Sequence, residues 1–262
     1  MSAVGTTLDS DKEAGVAADS RRDPSPRVSP RGGMVWDVLR GVVSARAAET
    51  GRQALDIVDV GGGTGGLAVP FAALGHNVTV VDPSPDALAA AQRRAAEAGA
   101  RLTAVQGEAA NLDAVVGTKA ADLVICHNVL EYVDSPADAM TAIAAVLRPA
   151  ATVSVLAANA VAAVLHQALA GRFAEARQLL GAGAQSGVPR RFTLPALIAL
   201  IEAAGLRAGQ AHGVRIFGGL VPGALLDGDA GAADALRALE EAAAATPPLR
   251  DIAAQLHVLG HR

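Results

Sequence analysis

Apolar positions along this chain recur with two different periods. Between residues 34 and 43 they sit at helical spacing, on Met34, Val35, Val38, Leu39, Val42 and Val43. From residue 54 onward, short apolar runs alternate with longer segments of helical period. The runs 54–60 (ALDIVDV), 77–82 (NVTVVD), 101–107 (RLTAVQG), 121–127 (ADLVICH) and 152–158 (TVSVLAA) predict five strands. Between them, 67–74, 84–99 and 135–149 predict helices. Ser84 and Ser135 are start signals, and Gly99 and Pro149 mark stops. The last hundred residues read differently. Segment 160–186 is rich in Ala and Leu and helical. Segment 192–206 is a helix opened by Thr193 and Pro195 and stopped by Gly205. Two late strands, 208–218 and 253–262, flank a helix over 229–246. Alternating strands and helices at this spacing imply parallel strands joined by right-handed crossovers, with helices on both faces. The expectation is an α/β fold: a seven-stranded, mostly parallel sheet ending in an antiparallel C-terminal strand pair.

Residues 1–30 are rich in Ser, Asp, Pro, Gly and Arg and carry no periodic apolar pattern. They are expected to form a disordered tail, leaving one domain over 31–262. The 262 residues are 51% hydrophobic, enough for a core, although only 2% are aromatic. The net charge of −4 argues against a broad nucleic-acid-binding surface but leaves room for a local basic patch. Cys126 is the only cysteine, so neither an intrachain disulfide nor a thiolate zinc cluster can form, and no metal is expected. The acidic start lacks an apolar signal segment, which points to the cytoplasm. Residues 149–171 have no formal charge, but Asn159, His166 and Gln167 interrupt them and most of their apolar residues are Ala. A buried strand followed by a helix explains the segment better than a membrane span, which needs about 20 predominantly apolar residues.

The strongest chemical signal is Asp59-Val60-Gly61-Gly62-Gly63-Thr64-Gly65-Gly66, which follows a predicted strand and precedes a helix. Glycines there permit a tight turn and close approach of backbone to a ligand. Gly61, Gly63 and Gly66 satisfy the dinucleotide fingerprint, whereas Gly61, Gly63 and Gly65 satisfy G-x-G-x-G. Charge separates the two. A pyrophosphate beside the fixed carboxylate of Asp59 is unfavourable, whereas the ammonium and sulfonium of S-adenosylmethionine favour an acidic strand end. Asp82 closes the next strand, where an acid accepts hydrogen bonds from ribose hydroxyls. Gly107-Glu108-Ala109-Ala110-Asn111 follows the third strand, where the loop flanks an adenine. His127 and Asn128 end the fourth, at the carboxyl edge where open α/β sheets bind ligands.

These motifs (VDVGGGTG, VVDPS, DLVICHNVLEYV and VLRPAATVSV, within 55–158) resemble the class I S-adenosylmethionine methyltransferases, which implies a Rossmann-like sheet and that cofactor. A narrower resemblance runs from about residue 31 to the end, to the tRNA 5-carboxymethoxyuridine methyltransferase family. It is carried by Arg31 ahead of Trp36, GGGTG, GH-x-V (75–78), CHNVLEYVDSP, Asn159 with His166, AGRF (170–173), GVRIF (213–217) and LHV (256–258). The resemblance implies cofactor contacts at Arg31, Val60, Gly61, Asp82, Ala109, Ala110 and His127, beside Asp59, Gly63 and Gly65 from the loop itself. Asn128, Asn159, His166, Arg190, Arg191 and Arg215 are the substrate candidates. His127 and Arg215 are the candidates for catalysis, Arg215 as a fork for an anionic acceptor. Pro189-Arg190-Arg191 stands where family members carry a lysine-rich loop.

Methyl transfer from a sulfonium is an in-line displacement, in which the protein aligns the partners and excludes water. An ionised carboxylate acceptor needs no base, whereas a phenol or amine would need one, and His127 or His166 could serve. The acceptor is therefore expected to be tRNA or an anionic small molecule. Two other readings stay open: a non-catalytic cofactor-binding module, and a nicotinamide-dependent dehydrogenase. Asp59 and the lack of a Tyr-x-x-x-Lys pair weigh against the dehydrogenase.

Overall fold

The computed structural model describes residues 33–182, 189–222 and 231–262. Arg31 and the expected tail lie outside the described residues, as do parts of the helices expected over 160–186 and 229–246. Among the described residues, α1 (Met34–Thr50) leads into β1 (Asp56–Val60), α2 (Ala68–Ala73), β2 (Asn77–Asp82), α3 (Pro85–Glu97) and β3 (Thr103–Gln106). Then come α4 (Leu112–Val116), β4 (Ala121–His127), α5 (Pro136–Val146) and β5 (Leu147–Ala158). The C-terminal part holds α6 (Ala160–Leu169), α7 (Phe173–Ala182), α8 (Leu194–Ala203), β6 (Arg207–Val214), α9 (Ala232–Ala243) and β7 (Gln255–His261).

The seven strands form one sheet in the order β3-β2-β1-β4-β5-β7-β6. All neighbours from β3 to β5 are parallel, and β7 is antiparallel to both β5 and β6. The antiparallel strand is therefore inserted one place in from the edge, and β6 forms the edge itself. Strand order reverses between β1 and β4, which opens a crevice at their carboxyl ends.

Each face of the sheet buries its own core. Trp36, Leu39 and Val43 of α1, Phe71 of α2 and Leu88 of α3 pack on Ile57, Val78, Val80, Leu123 and Ile125. On the other face, Met140 and Ile143 of α5 and Leu197 and Ile201 of α8 pack on Val58, Val60, Val124, Cys126, Val153 and Val155. The first six residues of β4 are all buried, because helices cover both of its faces. Caps set the helix starts as the sequence suggests. The hydroxyls of Ser84, Ser135 and Thr193 accept from the N–H groups of Ala87, Asp138 and Ala196.

Three expectations change. α5 stops at Val146 rather than at Pro149, and β5 starts at once and runs 12 residues. Pro149 has no N–H for a ladder, and it lies where the β4–β5 register shifts between the pairs Ala121–Leu147 and Leu123–Thr152. The helical stretch after Asn159 is broken at Gly171, with φ +75°, into α6 and α7. The short α4 is an addition to the expected elements.

Candidate active site

The loop after β1 is shaped by what glycine omits. Gly61, Gly63 and Gly65 have φ of +63°, +54° and +77°, a region costly for other residues. Gly61 also lies against the loop after β4, where an added Cβ would overlap Val129 Cγ2. Its N–H donates to the Val81 carbonyl at 2.7 Å, which pins the turn to β2. A Cβ on Gly62 would come within 2.7 Å of the Asp59 carboxylate, so the loop closes directly over that side chain.

Asp59 is buried beneath the loop and accepts from the N–H of Ala68 in the first turn of α2. Burial pushes its pKa up to about 7; the Ala68 hydrogen bond works against this and the nearby Asp82 adds to it. Sequence reasoning places Asp59 toward a ligand's positive charge. The structure seals it beneath the glycine loop, close to the start of α2. Val60 is buried in the core, so only its backbone faces the turn.

Asp82 closes β2 and ties the loop together. Its Oδ2 accepts from the N–H of Gly63 and its Oδ1 from the N–H of Ser84, both at 2.9 Å. Each oxygen keeps a further acceptor site, since an ionised carboxylate offers about four. Beyond β3, Ala109 is buried and Ala110 exposed in a single 3-10 turn over 109–111. A glycine cradle with free backbone beside an acid of spare capacity suits an adenosine with ribose hydroxyls and a charged amino-acid tail.

At the end of β4, His127 Nε2 lies 2.8 Å from Ser154 Oγ, and burial pushes its pKa down to about 3. Asn128 follows with φ +56°, and its Oδ1 accepts from Gln255 Nε2 at 2.5 Å. Arg215 is exposed at the end of β6 with φ +60°, and its guanidinium has no partner among the described residues. Arg191 is half-buried before α8 and is likewise unpartnered among the described residues.

Other nominated residues are already occupied. Asn159 is buried and caps α6: its Oδ1 accepts from Val161, and its amide donates to the carbonyls of Asp251 at 2.9 Å and Ala253 at 2.7 Å. Both amide hydrogens are given to the backbone, so Asn159 holds the rim together. Arg190 is likewise engaged with the backbone. Its guanidinium donates to the carbonyls of Val133 and, at 3.0 Å, Asp134, clamping the loop after β4. His166 is half-buried on α6 and packs toward Gly219, away from the glycine loop. Glu131 joins the site although the sequence motifs do not point to it. It is buried, its Oε1 accepts from the N–H of Ala158 at 2.7 Å, its Oε2 has no partner among the described residues, and burial raises its pKa. It is the one acid in HNVLEYV, a charge among apolar neighbours that could have marked it.

The described residues hold no cluster of His, Cys, Asp and Glu suited to a metal, and no described helix is long and apolar enough to cross a membrane. The Methyltransferase domain family matches residues 57–150. The tRNA 5-carboxymethoxyuridine methyltransferase of Escherichia coli (strain K12) is 31% identical over 203 residues, covering 71% of each chain. The chain belongs to the class I S-adenosylmethionine-dependent methyltransferases.

A ubiquinone biosynthesis O-methyltransferase of Methylobacterium nodulans is 42% identical over 96 residues, 36% of this methyltransferase and 37% of that protein. Among solved structures, an S-adenosylmethionine-dependent methyltransferase from Mesorhizobium loti superposes with a TM-score of 0.60 at 20% identity, covering 88% of this chain and 99% of that one. Magnesium protoporphyrin IX methyltransferase from Synechocystis with bound S-adenosylhomocysteine gives 0.54 at 14% identity, covering 88% and 89%. These two likenesses bear on the fold, which is the Rossmann-like sheet of this class. The enzyme uses S-adenosylmethionine, and the dehydrogenase reading falls away.

In this methyltransferase the carboxyl edge of the sheet carries, from one side to the other, Asp82, Gly61, His127 with Asn128, Asn159, Gln255 and Arg215. Strands lie about 4.8 Å apart, so β6 stands roughly 19 Å from β1 across the sheet. Arg215 is thus set well away from the glycine loop.

Proposed function

We propose that this methyltransferase acts on tRNA, transferring the methyl group to the carboxylate of a 5-carboxymethoxyuridine. The observation that carries the reading is the pair Arg191 and Arg215 on the sheet's carboxyl rim, both without an intramolecular acceptor among the described residues. Arg215 lies at the β6 end of the carboxyl edge, four strands from β1. It suits the phosphodiester backbone on either side of the modified base. The similarity to the Escherichia coli tRNA enzyme supports the same reading.

Asp82 would accept the ribose hydroxyls of the cofactor, and Gly61, Gly63 and Gly65 would let its amino-acid tail lie against bare backbone. Val60 would contribute through its backbone, Ala109 and Ala110 would flank the adenine, and His127 would border the sulfur. The cofactor supplies an activated methyl group. The chain's own work is to align the acceptor oxygen and exclude water. A carboxylate acceptor arrives already ionised, so no proton has to leave.

The test is methyl incorporation into tRNA that carries unmethylated 5-carboxymethoxyuridine, read by nucleoside mass spectrometry. Wild-type protein should form the methyl ester. Asp82→Ala should lose cofactor affinity by calorimetry. Arg215→Ala should raise KM for tRNA and flatten its salt dependence while leaving kcat within a few-fold. Unmodified tRNA at high enzyme and cofactor concentrations would end this reading while leaving the methyltransferase assignment in place.

A further inference from the structure

Tertiary pairing assembles a polar chain that the carboxylate reaction does not use. His127 Nε2 meets Ser154 Oγ at 2.8 Å, Ser154 Oγ meets His257 Nε2 at 2.8 Å, and His257 Nδ1 meets His212 Nδ1 at 3.1 Å. The four side chains come from β4, β5, β7 and β6. They share one face because Leu156 pairs with both His127 and His257, and His257 with His212. Ser154 and His257 are fully buried. The rings of His212 and His257 lie nearly parallel, 20° apart with centroids separated by 5.3 Å. One end of the chain borders the cofactor loop: His127 is two residues from Val129, which lies against Gly61. The other end is on the edge strand. Neither His127 Nδ1 nor His212 Nε2 has a hydrogen-bond partner among the described residues.

We propose that this chain is a proton exit that lets the enzyme methylate a phenolic hydroxyl, a second acceptor class beside a carboxylate. An uncharged chain of this kind has two orientations, set by which nitrogen of each ring holds the proton. In one, His127 Nδ1 presents a lone pair and every later bond donates toward His212. As the methyl group joins the acceptor oxygen, the acceptor O–H bond breaks toward His127 Nδ1. His127 Nε2 passes its proton to Ser154 Oγ, Ser154 passes its own to His257 Nε2, and His257 Nδ1 passes its proton to His212 Nδ1. His212 releases a proton from Nε2 to water. One proton enters and one leaves, which matches the positive charge the cofactor loses with its methyl group.

The surroundings favour such a relay over a single charged base. Burial depresses the pKa of His127 and His257, so neither holds a full charge readily. In a concerted transfer, positive charge appears only on half-buried His212, where burial and then Arg250 lower the pKa and favour release to water. Arg207 and the His261–Thr152 pair lie further along the same face. The acceptor class follows from the strength of the base. An imidazole relay suits a hydroxyl that ionises not far above neutrality, as a phenol does, and not an aliphatic alcohol. An ammonium acceptor is disfavoured beside a cationic cofactor.

The test uses the full chain with S-adenosylmethionine and two catechols, 4-methylcatechol and 4-nitrocatechol, with the methyl ether read by mass spectrometry. Wild-type protein should form the ether. With 4-methylcatechol, Ser154→Ala should slow it about 100-fold or more, and Ser154→Thr, which restores a hydroxyl, should recover most of the rate; 4-nitrocatechol, already ionised near neutral pH, should be slowed far less. Nitrogen-15 spectra of the ligand-free protein provide a readout independent of turnover. His127 and His257 should stay uncharged from pH 5 to 8, and Ser154→Ala should shift the ring nitrogens of both. No ether from either catechol overturns the proposal. So does an unchanged rate with 4-methylcatechol in Ser154→Ala, or ring nitrogens that ignore that substitution. The proposal rests on the methyltransferase chemistry alone, so failure to methylate tRNA leaves it standing.

Discussion

Asp59 shows how much one residue's meaning depends on its surroundings. In the sequence it is an acid at a strand end beside glycines. In the fold it is sealed beneath them, with a pKa of about 7 against an ordinary 3.8. Its proton is held more tightly in the folded chain, so its contribution to stability is full below about pH 4 and is lost as pH rises through 7. Asp59→Asn keeps an acceptor for the Ala68 N–H and cannot ionise. It should stabilise the protein by on the order of 1–3 kcal/mol at pH 8 and by little at pH 4. Thermal melts at the two pH values check this; equal effects at both would mean the carboxylate is not held protonated. At Gly61, Ala would meet both the positive φ and Val129. Gly61→Ala should cost about 1–3 kcal/mol in urea denaturation and weaken cofactor binding, with both losses measured on the same preparation.

At the scale of elements, two polar assemblies hold the sheet's ends. On the carboxyl rim, Asn159 caps α6 and straps the chain leading into β7. Asn159→Ala removes the cap and orphans the carbonyls of Asp251 and Ala253. The expected loss is about 2–4 kcal/mol, with KM for the acceptor unchanged. A stable variant with raised KM would return Asn159 to the substrate site. At the opposite end, Asp122 at the start of β4 has a fully buried side chain. It accepts from Arg52 at 2.7 Å, Arg148 at 2.9 Å, Arg46 at 3.4 Å and the Asp56 N–H at 3.0 Å. This network joins α1, β1, β4 and the irregular start of β5. Asp122→Ala should lower stability by about 3–5 kcal/mol, because it leaves three arginines facing an empty site. Urea midpoints with an unchanged m-value would show it as a change in stability alone.

Across the whole molecule, the histidines dominate the response to acid. Burial lowers the pKa of His76, His127, His212, His257 and His261, so the unfolded chain takes up more protons than the fold as pH falls below about 6.5. Asp59 and Glu131 have raised values and act in the opposite sense. Five groups against two favour the histidines, so the melting temperature should fall between pH 7 and pH 5. The fall should be steeper in Asp59→Asn, which removes one opposing group. A flat profile in both proteins would mean that the buried rings exchange protons freely in the fold.

Local chemistry was sufficient for much of this protein. The alternation of apolar runs and helical periods, the serine and threonine caps and the glycine loop are properties of neighbouring residues, and they were legible in order along the chain. They led to the sheet, the cofactor class and the placement of Asp82 and His127 at strand ends. What the sequence could not contain was register between distant segments. That β7 enters the sheet between β5 and β6 decides that Ser154, His257 and His212 meet His127, and no spacing rule links residues 127, 154, 212 and 257. The same long-range pairing engages Asn159 and Arg190 with backbone carbonyls and leaves Arg191 and Arg215 without a partner among the described residues. A side chain's type sets what it can bond. Only the packed chain settles whether another part of the same molecule has already claimed those bonds, because a buried polar group must find its partner within the fold.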